Sequence, residues 1–179
     1  MPAGEISTGN KLFPKNLSES KLKVLISSCL LGNNVRWNGL NKKSESISKW
    51  AESVGLTLQP VCPEDELFGT PRPPIRLIDI YGKVQARFKG RDIIGILDEK
   101  CLDIFNRHPD AVGFIGISRS PSCGISVGVK NHGKTVKGSM HRVSKIATTE
   151  INQLKNQRQR DIFLSRLNKQ NNQFEKEKD

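Results

Sequence analysis

No apolar run in this chain approaches the roughly 18 to 20 residues that a membrane span needs, and the first residues lack the apolar stretch of a secretory signal. An unexported, soluble, cytoplasmic protein without membrane contact is therefore expected. Close cysteine pairs such as C-x-x-C are also missing, although the chain holds 4 cysteines. Widely spaced thiols in a reducing compartment do not make a disulfide framework, so metal binding or catalysis becomes the question. Internal repeats are absent. So are an RNA-binding signature and an aromatic platform on which bases would stack.

What is present fits one domain with polar ends, since 179 residues are enough to bury a core. Apolar residues make up 35% of the chain and concentrate between Lys21 and about Val129. The organisation expected is a flexible arm over residues 1–20, an α/β domain over 21–150 and a basic helical tail over 151–179, frayed at its end. The formal net charge is +11, densest toward the C-terminus. That charge admits nucleic acid or a phosphorylated substrate as partner, and equally a tail that only solubilises.

Lys23 to Ser28 is a β-branched run that suits a buried strand ending at Cys29. Gly32, Asn33, Asn34, Asn38 and Gly39 mark a loop. Ile47, Trp50 and Val54 recur at helical spacing over 44–54, with Gly55 as the stop. Leu56 to Val61 is a second strand ending at Cys62, which makes a parallel βαβ unit. Pro63 then opens a helix with Glu64, Asp65 and Glu66 in its first turn. The prolines around Arg72 demand a stiff, extended loop. Residues 75–80 and 83–88 flank Tyr81-Gly82 as a β-hairpin. Asp92 caps a helix to about Arg107 with Ile94, Leu97, Cys101 and Ile104 on one face. Ala111 to Ile117 is a third buried strand, followed by a loop carrying Cys123. Further on, Met140 to Ile146 suggests a helix and Lys145 to Thr149 a last strand. A helix from Glu150 to about Lys169 would turn Ile151, Leu154, Ile162 and Leu167 inward.

Three of the cysteines thus stand at or just after the C-terminal end of an apolar run, the edge where open parallel sheets bind ligands. A helix start after Cys62 would lower its thiol pKa. Cys101, on a helix stripe, reads as core. A structural zinc site wants four ligands; His132 and His141 could offer a fourth but read as solvated surface histidines. Three soft thiolates without a fourth protein donor suit an iron–sulfur cluster with one iron open to substrate.

Ser27-Ser28-Cys29-Leu30-Leu31-Gly32 with Val35-Arg36-Trp37-Asn38-Gly39 forms one block of a recognisable set. Pro60-Val61-Cys62-Pro63-Glu64 with Pro71-Arg72-Pro73-Pro74, and Ser120-Pro121-Ser122-Cys123-Gly124, form the others. Together they resemble the thiouracil desulfurase family. The residue pattern gives a Rossmann-like α/β fold, with a mainly parallel sheet, a β-hairpin insertion and a helical C-terminal tail; the resemblance implies an α/β domain, and the tail after Gly138 departs from the short ending expected of the family. The resemblance also implies a [4Fe–4S] cluster held by Cys29, Cys62 and Cys123, and removal of sulfur from 2-thiouracil or a related thiolated pyrimidine, free or in a nucleoside or RNA.

Glu64 is then the candidate base that delivers water to the ring carbon, with a helix-start charge answering the dipole as the alternative. Ser120 and Ser122 are candidates to hydrogen-bond cluster sulfur or substrate, or plain turn formers. Arg72 and Arg36 are candidates to orient a pyrimidine carbonyl or a phosphate, or to pair with surface carboxylates. Asn38 occupies a position that is often aspartate in the family pattern, and a neutral amide cannot act as a base. Lys145, Lys155, Arg158, Arg160, Arg166 and Lys169 supply the charge for docking RNA through phosphates. The rival from another class is a basic RNA-binding protein whose cysteines hold a structural metal or nothing. A cysteine-nucleophile enzyme fits poorly, because none of the three blocks contains a histidine to activate the thiol.

Overall fold

The computed structural model describes residues 21–177, so the flexible arm expected over residues 1–20 lies outside the described residues. The chain begins with strand β1 (Lys23–Ser27), whose apolar run passes into a single 3-10 turn over Ser28–Leu31. Helix α1 (Glu45–Ser53) and strand β2 (Thr57–Val61) complete the expected βαβ unit, and a short helix α2 (Pro63–Phe68) opens at Pro63. The hairpin follows as β3 (Arg76–Ile80) and β4 (Lys83–Phe88), extended by β5 (Arg91–Asp92). Helix α3 (Ile94–Arg107) leads to β6 (Ala111–Gly116). Two short strands, β7 (Val127–Gly128) and β8 (Thr135–Val136), precede α4 (Ser139–Val143) and β9 (Ala147–Glu150). The chain closes with α5 (Gln157–Lys176), capped by the Asn156 side chain, which accepts from the Gln159 amide at 3.0 Å.

The central sheet runs β2-β1-β6-β9 and is parallel throughout. Alternation along β1 sends Val24 and Ile26 to one face and Leu25 to the other, the period-2 consequence of strand geometry. On the first face they meet Ile47 and Trp50 of α1 and Phe163 and Leu167 of α5. On the second, Leu25 and Phe114 meet Cys101 and Ile104 of α3 and Met140 of α4. The result is a helix–sheet–helix sandwich. The antiparallel sheet β3-β4-β5 has its own apolar cluster, with Leu77, Ala86 and Phe88 packed against Val127 and Val129. This is the mixed α/β fold expected: mainly parallel sheet, hairpin insertion and C-terminal helix.

Some details depart from expectation. Ile162 is exposed on α5, whereas its neighbour Phe163 is buried with Leu167. The helix also runs through residues 170–176, expected to fray, and Phe174 packs against the core cluster.

Candidate active site

The parallel sheet brings three cysteines to its C-terminal edge. Cys29 lies on the 3-10 turn after β1, Cys62 between β2 and α2, and Cys123 on the loop after β6. All three line one cavity of about 590 Å³, together with Glu64, Arg72, Arg36, Ser120 and Ser122. Asn38 is not part of that lining; it is exposed and its side chain accepts from the Leu40 amide at 3.3 Å.

Local backbone explains each placement. Gly32 takes a φ of +99°, open to glycine at little cost, and turns the chain so that both its own amide and that of Lys42 donate to the Cys29 carbonyl, at 3.3 and 2.9 Å. Pro63 stands at the first turn of α2, where its missing N–H costs nothing. That turn places Glu64 inward, only 7% exposed.

Glu64 is surrounded by donors. Its Oε1 accepts from Ser122 Oγ at 2.7 Å and from Ser120 Oγ at 3.1 Å, and its Oε2 from Arg72 Nη2 at 3.2 Å. The two serine hydroxyls are themselves 3.0 Å apart. Arg72 Nη1 faces the carbonyls of Val35 and Gly69 and the hydroxyl of Thr70, at 3.0, 2.9 and 2.9 Å. Its two Nη groups therefore meet protein acceptors around the cavity, while Nε is buried without a partner. Arg36, half-buried on the same wall, has no ion pair among the described residues.

Burial pushes all three thiols up. The Cys29 thiol rises to about 11, from burial first and then from Cys62; the Cys62 thiol rises to about 12, from burial first and then from Cys123. The Cys123 thiol rises to about 12, mainly by burial, against hydrogen bonds with Ser122 and Ser27 that lower it. The lowering expected for Cys62 from the helix start is thus overturned: α2 is a short helix, and desolvation outweighs its amides. Such thiols are poor nucleophiles as they stand, and only a strong cationic partner would make them thiolates. Among the described residues no three His, Cys, Asp or Glu side chains converge where one metal ion could be held. The thiols line a chamber rather than close a single-ion centre.

His141 corrects another expectation. It is buried, not solvated, with its ring tilted against Phe114 at 5.3 Å and its Nε2 2.8 Å from the Cys123 carbonyl oxygen. His132 is exposed. Two serines are assigned no role by the sequence. Ser27 accepts from the Ile117 amide at 2.9 Å, while Ser118 lines the cavity with a buried hydroxyl that has no partner. Ser27 looks like the last residue of a strand, and only its neighbours on β6 reveal its task.

Residues 24–171 match the 2-thiouracil desulfurase family. The chain belongs to that family. The match spans the central sheet, all three cysteines and most of α5. Among solved structures, the family member is similar to a [4Fe-4S]-dependent thiouracil desulfidase, TudS, at 24% identity and a TM-score of 0.62. The likeness covers 81% of this chain and 99% of that one, and at that identity it speaks for the fold. No curated protein matches the chain.

Proposed function

We propose that the chain is a desulfurase that removes sulfur from a thiolated pyrimidine at a [4Fe–4S] cluster held by Cys29, Cys62 and Cys123. One observation carries the proposal: three thiols from three strand ends share a cavity wall with a buried carboxylate held by two hydroxyls and a guanidinium. The donor set fits such a cluster. It is all sulfur, and neither an imidazole nor a fourth thiol belongs to the cavity lining, which leaves one metal position for substrate. When bound, the cluster would supply a Lewis acid for the substrate sulfur and make the attached ring carbon more electrophilic.

The chain's own residues do the rest. Glu64 takes a proton from the water that attacks the ring carbon. Ser120, Ser122 and Arg72 hold that carboxylate in one orientation, which makes Arg72 a positioning residue in this reading. Arg36, free of carboxylates, orients the pyrimidine carbonyl. In sum, water replaces sulfur at the carbon, the sulfur leaves as sulfide, and no net electrons are transferred. For a base carried in RNA, the supporting features are the net charge of +11 and the exposed cations of α5.

Anaerobic reconstitution tests the reading. A brown protein with about four irons and four sulfides per chain, releasing sulfide from 2-thiouracil, 4-thiouridine or thiolated tRNA, is the expected result. Cys29→Ser, Cys62→Ser and Cys123→Ser should each lose the cluster, since oxygen is a harder and poorer ligand, while Cys101→Ser keeps it. A colourless protein holding one zinc and inert to these substrates would favour the RNA-binding rival instead.

A further inference from the structure

The loop that carries Cys123 is gripped from outside the cavity by residues that the proposed chemistry does not use. The Gly138 amide donates to the Gly124 carbonyl at 2.8 Å, the Ser139 amide to Pro121 at 3.2 Å and the Met140 amide to Ser122 at 2.8 Å. His141 Nε2 completes the series on the Cys123 carbonyl at 2.8 Å. Every carbonyl from Pro121 to Gly124 is engaged by residues 138–141. The amides are available because the first N–H groups of a helix such as α4 have no partner inside it.

A carbonyl oxygen only accepts, so Nε2 carries the hydrogen and Nδ1 is a bare acceptor. Nδ1 is buried and has no partner. His141 thus leaves one of its two ring nitrogens unsatisfied while it makes the bond to Cys123. Space is tight on both sides of the contact. A Cβ on Gly116 would collide with the Cys123 carbonyl, and one on Gly138 would sit 2.8 Å from the Pro121 oxygen and 2.9 Å from that of Gly124. Cys123 itself lies between two environments, lining the cavity while packed in the cluster of Leu25, Cys101, Phe114 and Met140.

We propose that His141 is a positioning residue for Cys123: with the three amides before it, its imidazole fixes the loop so that this one thiol is presented to the cavity. The proposal rests on the ligand role of Cys123 given above, and it concerns the side chain because the amides cannot be substituted.

The test reads each thiol separately. The full chain, freed of metal under anaerobic reducing conditions, is treated with iodoacetamide, and alkylation of Cys29, Cys62, Cys101 and Cys123 is followed by peptide mass mapping. In His141→Leu and in Gly138→Ala, Cys123 should react about tenfold faster or more, through freer local opening, while Cys29 and Cys62 keep their wild-type rates. His141→Gln, whose amide can donate to the same carbonyl, should return Cys123 toward the wild-type rate and should keep more iron after reconstitution than His141→Leu. Leu167→Ala, which loosens the core far from this loop, should not single out Cys123. Equal acceleration of all four thiols, unchanged Cys123 reactivity, or the same Cys123-selective pattern in Leu167→Ala would overturn the proposal. If His141→Leu does not fold, Gly138→Ala and His141→Gln carry the comparison. Wild-type protein that takes up no iron would sink the cluster reading, while the alkylation rates would still decide whether residues 138–141 hold the loop.

Discussion

Glu64 and Arg72 form a pair whose side chains are 10% and 3% exposed, and the two arginines of the cavity differ in what they touch. Both Nη groups of Arg72 are held by acceptors, so Arg72→Gln should leave Glu64 buried with a weaker partner and cost about 3–5 kcal/mol in denaturant unfolding. Arg36→Gln removes no ion pair among the described residues, should change stability by about 0.5 kcal/mol or less, and should raise KM with little effect on kcat. Glu64→Gln keeps the shape but removes the proposed base. It should retain iron and lose about 100-fold or more in kcat; unchanged kcat at normal iron content would return Glu64 to a helix-start charge. Glu64 was legible two residues after Cys62 and Arg72 between prolines, while Arg36 was legible only as part of the block that follows Cys29. His141 was not. It is 18 positions from its partner in a basic, polar stretch, and nothing in its neighbours' periodicity marks it as buried.

Elements were legible in proportion to how many residues share one pattern. The runs of β1, β2 and β6 and the stripe of α3 each repeat an apolar spacing, and glycines or prolines punctuate them. The two-residue strands β5, β7 and β8 carry no period and were invisible. On α5 the spacing allowed either register. With Ile162 and Phe163 adjacent, a helix turns only one of them inward, and the strand below decides which. Gly113 of β6 leaves room there that Leu167 fills so closely that a Cβ on that glycine would overlap it. The inward pair is therefore Phe163 and Leu167, four apart, at 2% and 0% exposure. Leu167→Ala should cost about 2–5 kcal/mol, transfer and cavity together, whereas Ile162→Ala should stay within about 0.5 kcal/mol. Urea titrations of the two variants, compared at equal m, check the register.

At the scale of the whole molecule the net charge of +11 has to be reconciled with a C-terminal helix that belongs to the core. Deleting the tail would remove Phe163 and Leu167 and uncover the core face they pack on, so loss of RNA affinity in a truncated chain would say nothing about phosphate contacts. Nor are the cations of the tail equivalent. Arg160 donates to the Leu154 carbonyl at 3.0 Å and lies over the Trp50 ring at 5.8 Å, which makes it part of the packing. Arg158, Arg166 and Lys169 are exposed and enter no ion pair among the described residues. Exchanging these three for Gln should leave thermal stability and turnover of free 2-thiouracil unchanged, because none of them touches the core or the cavity. If the substrate is carried in RNA, the same exchange should weaken binding and flatten the dependence of log K on log salt by about 0.7 units per lost contact to single strands. It should do so for any sequence, since phosphate contacts position without specifying bases. Affinity and slope that match the wild type at low salt would instead assign the charge of α5 to solubility, and would leave the free base or nucleoside as the substrate.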